Sequence, residues 1–185
     1  MIAIIGKSAY TRVLAKALVR HVDADGMIVN CKGDPFYDKL YMPVHTSYTP
    51  EFGFKFTDDV MARYKSAPSV LVLDGLDKAM YRDPTIKNFC FNGRCMKTSL
   101  IINMESNCLS PEARCNVDFA FLFPDQDVSK KLYQQYAGIF PSLDDFTAAA
   151  KEYCPDSSYC LVIDCLSRSE KLEDNCFWYK VAGFD

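Results

Sequence analysis

The chain has 185 residues, 49% hydrophobic and 24% charged, with a formal net charge of −3. That suits one domain with a proper core and speaks against a disordered chain. No apolar run approaches the roughly 18 residues of a membrane span, the opening Met-Ile-Ala-Ile-Ile is too short for a secretory h-region, and the mildly acidic balance carries no footprint of strong nucleic-acid binding by a single copy.

Strand-like and helix-like runs alternate along the chain, which predicts an α/β fold with a mainly parallel central sheet. No repeat or linker divides residues 1–185, so a single domain is expected. Met1–Ile5 reads as a strand, and after a loop a helix runs from about Thr11 to His21 with Val13, Leu14, Ala17 and Leu18 on one face. Met27–Asn30 is a strand, followed by a Gly-Asp-Pro loop and a short extended piece at Val44–Tyr48. A helix is expected over Thr57–Lys65, ended by Pro68. Ser69–Asp74 is the clearest core strand, four branched apolar residues closed by an acid. A short helix near Ile86–Phe91 leads to a strand at Thr98–Ile102, and the strand Val117–Phe123 precedes a helix from Gln126 to Ala137. Ser142 starts a helix with Leu143, Phe146, Ala150 and Tyr153 on one face and Asp145 placed for a capping box. Tyr159–Asp164 is the last core strand, and Cys176–Lys180 an aromatic edge strand.

The opening strand, loop and helix have the layout of a P-loop, G-x-x-x-x-G-K-[ST]. In such a loop the backbone N–H groups wrap phosphates, the Lys reaches the terminal ones and the hydroxyl ligates Mg²⁺. On that template Gly6 takes the first Gly position, Thr11 the second, Arg12 the Lys and Val13 the Ser/Thr, with Lys7 and Ser8 inside the loop. Gly6-Lys7-Ser8 spells G-K-S in another register, but that register turns the apolar run Ile2–Ile5 into a loop and leaves no strand ahead of it. In the chosen register Thr11 stands where a backbone with φ > 0 is expected, which a β-branched residue resists. Asp74 fits the acid of a Walker B strand, which holds Mg²⁺ in a P-loop fold; a second acid would normally follow, and here Gly75 follows, with Asp77 the next acid.

The remaining candidates have quieter readings. Nine cysteines without a C-x-x-C and only His21 and His45 as mixed ligands argue for reduced, partly buried thiols rather than zinc. Trp178 is expected to pack in the core, His21 to face a helix C-terminus, Lys130-Lys131 to lie on a solvated helix face, and Asp164 to cap a turn. Ser8 and Ser99 lack His and Asp partners for hydrolase chemistry.

Residues 88–123, NFCFNGRCMKTSLIINMESNCLSPEARCNVDFAFLF, together with Asp34-Pro-Phe-Tyr37, Tyr48-Thr-Pro-Glu51, the segment 136–146, Cys160–Asp164 and Lys171–Lys180, resemble the genome-packaging ATPases of large double-stranded DNA viruses, of the FtsK/HerA group. The resemblance runs over nearly the whole chain and implies a P-loop NTPase-like three-layer fold. It also implies Mg-ATP as cofactor, Asp74 on the metal and as a catalytic residue, and Glu105 where the family carries a sensor amide. Arg94 and Arg114 match family arginines that complete a neighbouring subunit's site or bind the packed ring, beside the plainer reading of surface or intramolecular salt bridges. The family pattern places cofactor binding on Gly6, Lys7, Ser8, Thr11, Arg12 and Val13, of which only Gly6 is the family's own residue. Losing one charge-stabilising group typically costs about two to three orders of magnitude in rate, so weak or absent hydrolysis is expected, with nucleotide retained only if binding survives. The implied partners are copies of the chain in a ring, an active packaging ATPase and double-stranded DNA, with no membrane. The implied place is the virus factory of an infected cell or the virion, not secretion. A catalytically inactive paralogue with a structural, interaction or regulatory role is the alternative.

Overall fold

The computed structural model describes residues 1–7, 9–22, 24–32, 35–38, 40, 42–46, 48–49, 58, 68–106, 109–123, 129–136 and 139–182. Ser8, Cys108, Gly33-Asp34, residues 126–128 and 137 of one expected helix, and the expected helix Thr57–Lys65 apart from Asp58 lie outside the described residues.

Eight strands form one sheet: β1 (Ile2–Ile5), β2 (Asp25–Asn30), β3 (Val44–His45), β4 (Ser69–Asp74), β5 (Thr98–Met104), β6 (Phe119–Leu122), β7 (Tyr159–Asp164) and β8 (Cys176–Lys180). Their order is β3-β2-β4-β5-β1-β6-β7-β8. The first six pair in parallel, and β7 and β8 are antiparallel additions at one edge. The described helices are α1 (Tyr10–His21), α2 (Pro84–Asn92), α3 (Pro111–Arg114), α4 (Ser129–Tyr136), α5 (Leu143–Tyr153) and α6 (Leu172–Asn175). The short α3 and α6 carry too few residues to show a helical period in sequence, and neither is among the expected elements.

Successive strand residues point to opposite faces, and here both faces are covered. Ile4, Ile28, Val70, Val72 and Ile101 pack with Leu14, Ala15 and Val19 of α1. Ile5, Leu71, Leu73, Leu100 and Ile102 pack with Ile86 and Phe89 of α2 and with Phe146 of α5. A parallel sheet buried on both sides explains the unbroken apolar runs of β4 and β5. The buried face of α1 is Thr11, Leu14, Ala15 and Val19, rotated from the expected stripe: Leu14 is shared, whereas Val13, Ala17 and Leu18 are only partly buried. Trp178 is corrected outright. It is 53% exposed on edge strand β8 and leans on Tyr159 at 5.7 Å between ring centroids.

Candidate functional site

Strands β2 and β4 run apolar and then end on a polar residue, Asn30 and Asp74, and β5 carries Asn103 one position before its last residue, Met104. The register pairs Asn30 with Asp74 and Asp74 with Asn103. Residues level with one another on parallel strands share a face, so these three form one polar row at the carboxyl ends of the strands, on the side that α1 covers. All three are buried, Asp74 to 1% exposure.

Asp74 is held from three directions. The Asn103 side-chain amide donates to its Oδ1 at 2.8 Å, and the Tyr37 hydroxyl donates to Oδ2 at 3.0 Å. Arg12 Nε lies 2.9 Å from the same Oδ2, as an ion pair rather than an aligned hydrogen bond. The Arg12 Nη2 group donates to Asn30 Oδ1 at 3.3 Å, and the Lys32 backbone N–H reaches that oxygen at 3.2 Å. Burial pushes the Asp74 carboxyl above its ordinary range; Arg12 opposes this most, followed by Tyr37, Lys32 and Asn103.

The loop ahead of α1 is fixed at its first residue. Gly6 has φ +150, and a Cβ there would sit 2.6 Å from Phe123 Cβ and 2.7 Å from the Phe123 carbonyl oxygen, so no other residue fits without moving β6's end. Ile2–Ile5 is a strand, as the register with Gly6 in first place requires. Thr11 is corrected: it lies inside α1, and among described non-glycine residues only Lys97 has positive φ, so its branched side chain meets no backbone strain. Val13 is likewise corrected, since it packs against the α1 side of the core instead of facing the loop's cavity.

That cavity is open, about 250 Å³ in volume, and brings together Gly6, Lys7, Thr11, Arg12, Asp74 and Glu105 of the expected site, with Lys32, Gly75 and Asn103 beside them. Gly75 has φ +70, and a Cβ there would meet Lys32 Cγ at 2.8 Å. At the mouth, Lys32 Nζ donates to Glu105 Oε1 at 2.7 Å, and Lys32, then Lys7 and Arg12, hold the Glu105 carboxyl below its usual range. The amide that touches Asp74 is Asn103, two positions before Glu105.

The crystal structure of B204, the DNA-packaging ATPase from Sulfolobus turreted icosahedral virus, matches with a TM-score of 0.71 at 16% identity, over 98% of this chain and 97% of that one. The fold is that of a viral DNA-packaging ATPase. The genome-packaging NTPase B204 of Sulfolobus turreted icosahedral virus 2, in complex with ATP-γS, gives 0.69 at 14% identity over 98% and 97% of the two chains. In sequence, the uncharacterized protein L437 of Acanthamoeba polyphaga mimivirus is 36% identical over 98 residues, 51% of this chain and 34% of that protein. The uncharacterized protein 075L of Invertebrate iridescent virus 6 is 29% identical over 192 residues, 95% of this chain and 70% of that protein. The relatives are thus proteins of large DNA viruses, and this chain spans only a minor part of the mimivirus one. No family model matches the chain.

Arg94 and Arg114 stand away from the cavity. Arg94 precedes β5, at the amino-terminal end of the parallel strands and so opposite to the cavity, and pairs with Asp118; Arg114 Nη1 donates to the Leu109 carbonyl at 3.1 Å. Asp164 caps its turn, accepting from the N–H groups of Leu166 at 2.9 Å and Ser167 at 3.2 Å. No helix among the described residues is long and apolar enough to cross a membrane.

Proposed function

We propose that the chain is a homologue of the viral genome-packaging ATPases, of the FtsK/HerA group, with a degenerate P-loop and weak or absent ATP hydrolysis. The Arg12–Asp74 ion pair carries this reading. A P-loop Mg²⁺ takes hard oxygen donors from a hydroxyl and a Walker B acid. In this chain Val13 offers no oxygen, and both Asp74 oxygens already serve Asn103, Tyr37 and Arg12. The donor set therefore does not suit the metal. Gly75 supplies no carboxylate to polarise a water either.

Lys7, Arg12 and Lys32 around the cavity support retention of a phosphate-binding role. The relatives from large DNA viruses and the packaging-ATPase fold support a place in genome packaging. The chain would act as a subunit of a ring of its own copies or beside an active packaging ATPase on double-stranded DNA, in the virus factory or the virion. The same ion pair equally favours a fully inactive paralogue with a structural, interaction or regulatory role in the virion.

Phosphate release from Mg-ATP, with and without double-stranded DNA, tests this. Turnover at least two orders of magnitude below an ordinary enzyme's roughly 1–1,000 s⁻¹ is expected. DNA-stimulated turnover inside that range overturns the reading.

A further inference from the structure

We infer that the cavity is a metal-independent polyphosphate site, in which the Arg12 guanidinium stands on Asp74 in place of a divalent cation and the Glu105 carboxylate is the tethered anion that an incoming phosphate chain displaces. This deepens the reading above and rests on it.

Charge is the first support. Lys7, Arg12 and Lys32 face the cavity against Asp74 and Glu105, and each acid has its own cation: Arg12 on Asp74 and Lys32 on Glu105. A guanidinium is a planar fork of five N–H donors and suits phosphate geometry, and Arg12, anchored to Asp74 and Asn30, lines the cavity. With the acid neutralised internally, a phosphate chain needs no metal to shield it from Asp74. A metal-bound chain, with part of its charge cancelled, gains less from these cations.

Position is the second support. Glu105 and Lys32 are 59% and 42% exposed at the mouth, 2.7 Å apart, and the field of Lys7 and Arg12 also falls on that carboxylate. A carboxylate thus already occupies the point where the positive charges converge. At about 250 Å³ the cavity falls below the roughly 300–1,000 Å³ common for small-molecule sites, which fits a phosphate chain with any sugar and base outside.

Calorimetric titration of the whole chain with inorganic tripolyphosphate, and separately with ATP, in EDTA and in millimolar Mg²⁺, tests the inference. Both ligands are expected to bind in EDTA, with Mg²⁺ weakening each several-fold. Glu105→Gln, an exposed change checked for folding by its melting curve, is expected to tighten tripolyphosphate about two- to fivefold, the worth of an exposed ion pair. Binding that requires Mg²⁺, ATP binding without tripolyphosphate binding, no binding in either buffer, or an unchanged affinity in Glu105→Gln each overturns the inference. The hydrolysis reading is decided separately, by the phosphate-release assay.

Discussion

A buried carboxylate survives in this fold because a guanidinium stands on it. Arg12→Met would leave Asp74 charged and buried with only the Tyr37 and Asn103 hydrogen bonds. Breaking a buried pair from one side typically costs about 3–5 kcal/mol; Arg12 retains 14% exposure, so a loss of about 2–4 kcal/mol in urea denaturation is expected. Adding Asp74→Asn should recover much of it, and a double-mutant cycle should show coupling of about 0.5–3 kcal/mol. The pH dependence follows from burial. Asp74 is already raised in the folded chain, with Arg12 the main opposing influence, so Arg12→Met raises it further. The folded variant then keeps a proton that the unfolded chain has released, and its stability falls as pH rises from the ordinary carboxylate range through the raised value. The variant should therefore be least impaired in acid, as denaturation at several pH values would report. Gly75 makes the neighbouring argument. Gly75→Glu forces a side chain onto φ +70 and against Lys32 Cγ, at a cost of about 1–3 kcal/mol. It should lower the melting temperature without restoring hydrolysis, whereas Gly75→Asn, which tolerates the left-handed region better, should cost less.

At the scale of elements, caps set where helices begin, and the two best placed differ in what else they hold. Asp83 Oδ1 accepts from the N–H groups of Thr85 at 2.9 Å and Ile86 at 3.4 Å and from the Tyr48 hydroxyl at 2.8 Å. Ser142 Oγ accepts from the Asp145 N–H at 3.1 Å on an exposed helix start. A lost cap costs about 0.5–2 kcal/mol, so thermal melts should place Asp83→Ala near the upper end and Ser142→Ala near the lower. The Ser142 cap was legible because Ser followed by Asp three residues later is a local pattern. Strands β4, β7 and β8 were legible residue for residue, because branched apolar runs and aromatic runs bounded by polar residues carry their own limits. The polar row was legible in principle: Met27–Asn30 and Leu100–Asn103 end as Leu71–Asp74 does, yet only the carboxylate stood out from its strand. Tyr37 was not legible, since its hydroxyl meets Asp74 across 37 positions of chain and nothing local marks the meeting. The exposure of Trp178 depended on β8 taking the outermost place in the sheet, which only the assembled strand order decides.

Across the whole molecule, the parallel strands separate two sets of charges. The cavity lies at their carboxyl ends, while Arg94 and its partner Asp118 lie where β5 and β6 begin. The seven residues of β5, at about 3.3 Å each, put roughly 20 Å between those two ends of the strands, about two and a half Debye lengths at physiological salt. Arg94 therefore cannot touch a phosphate held in its own chain's cavity, although its 66% exposure leaves it accessible to another subunit. Arg94→Ala should cost at most about 1 kcal/mol, the upper range for an exposed pair, and leave tripolyphosphate affinity in the isolated chain unchanged. On the reading in which Arg94 reaches across a subunit boundary, the same variant mixed with an active packaging ATPase should lose any effect that the natural chain has on phosphate release. A weakened affinity in the isolated chain would show that the two ends communicate through the sheet, and would remove the case for Arg94 as a group acting between subunits.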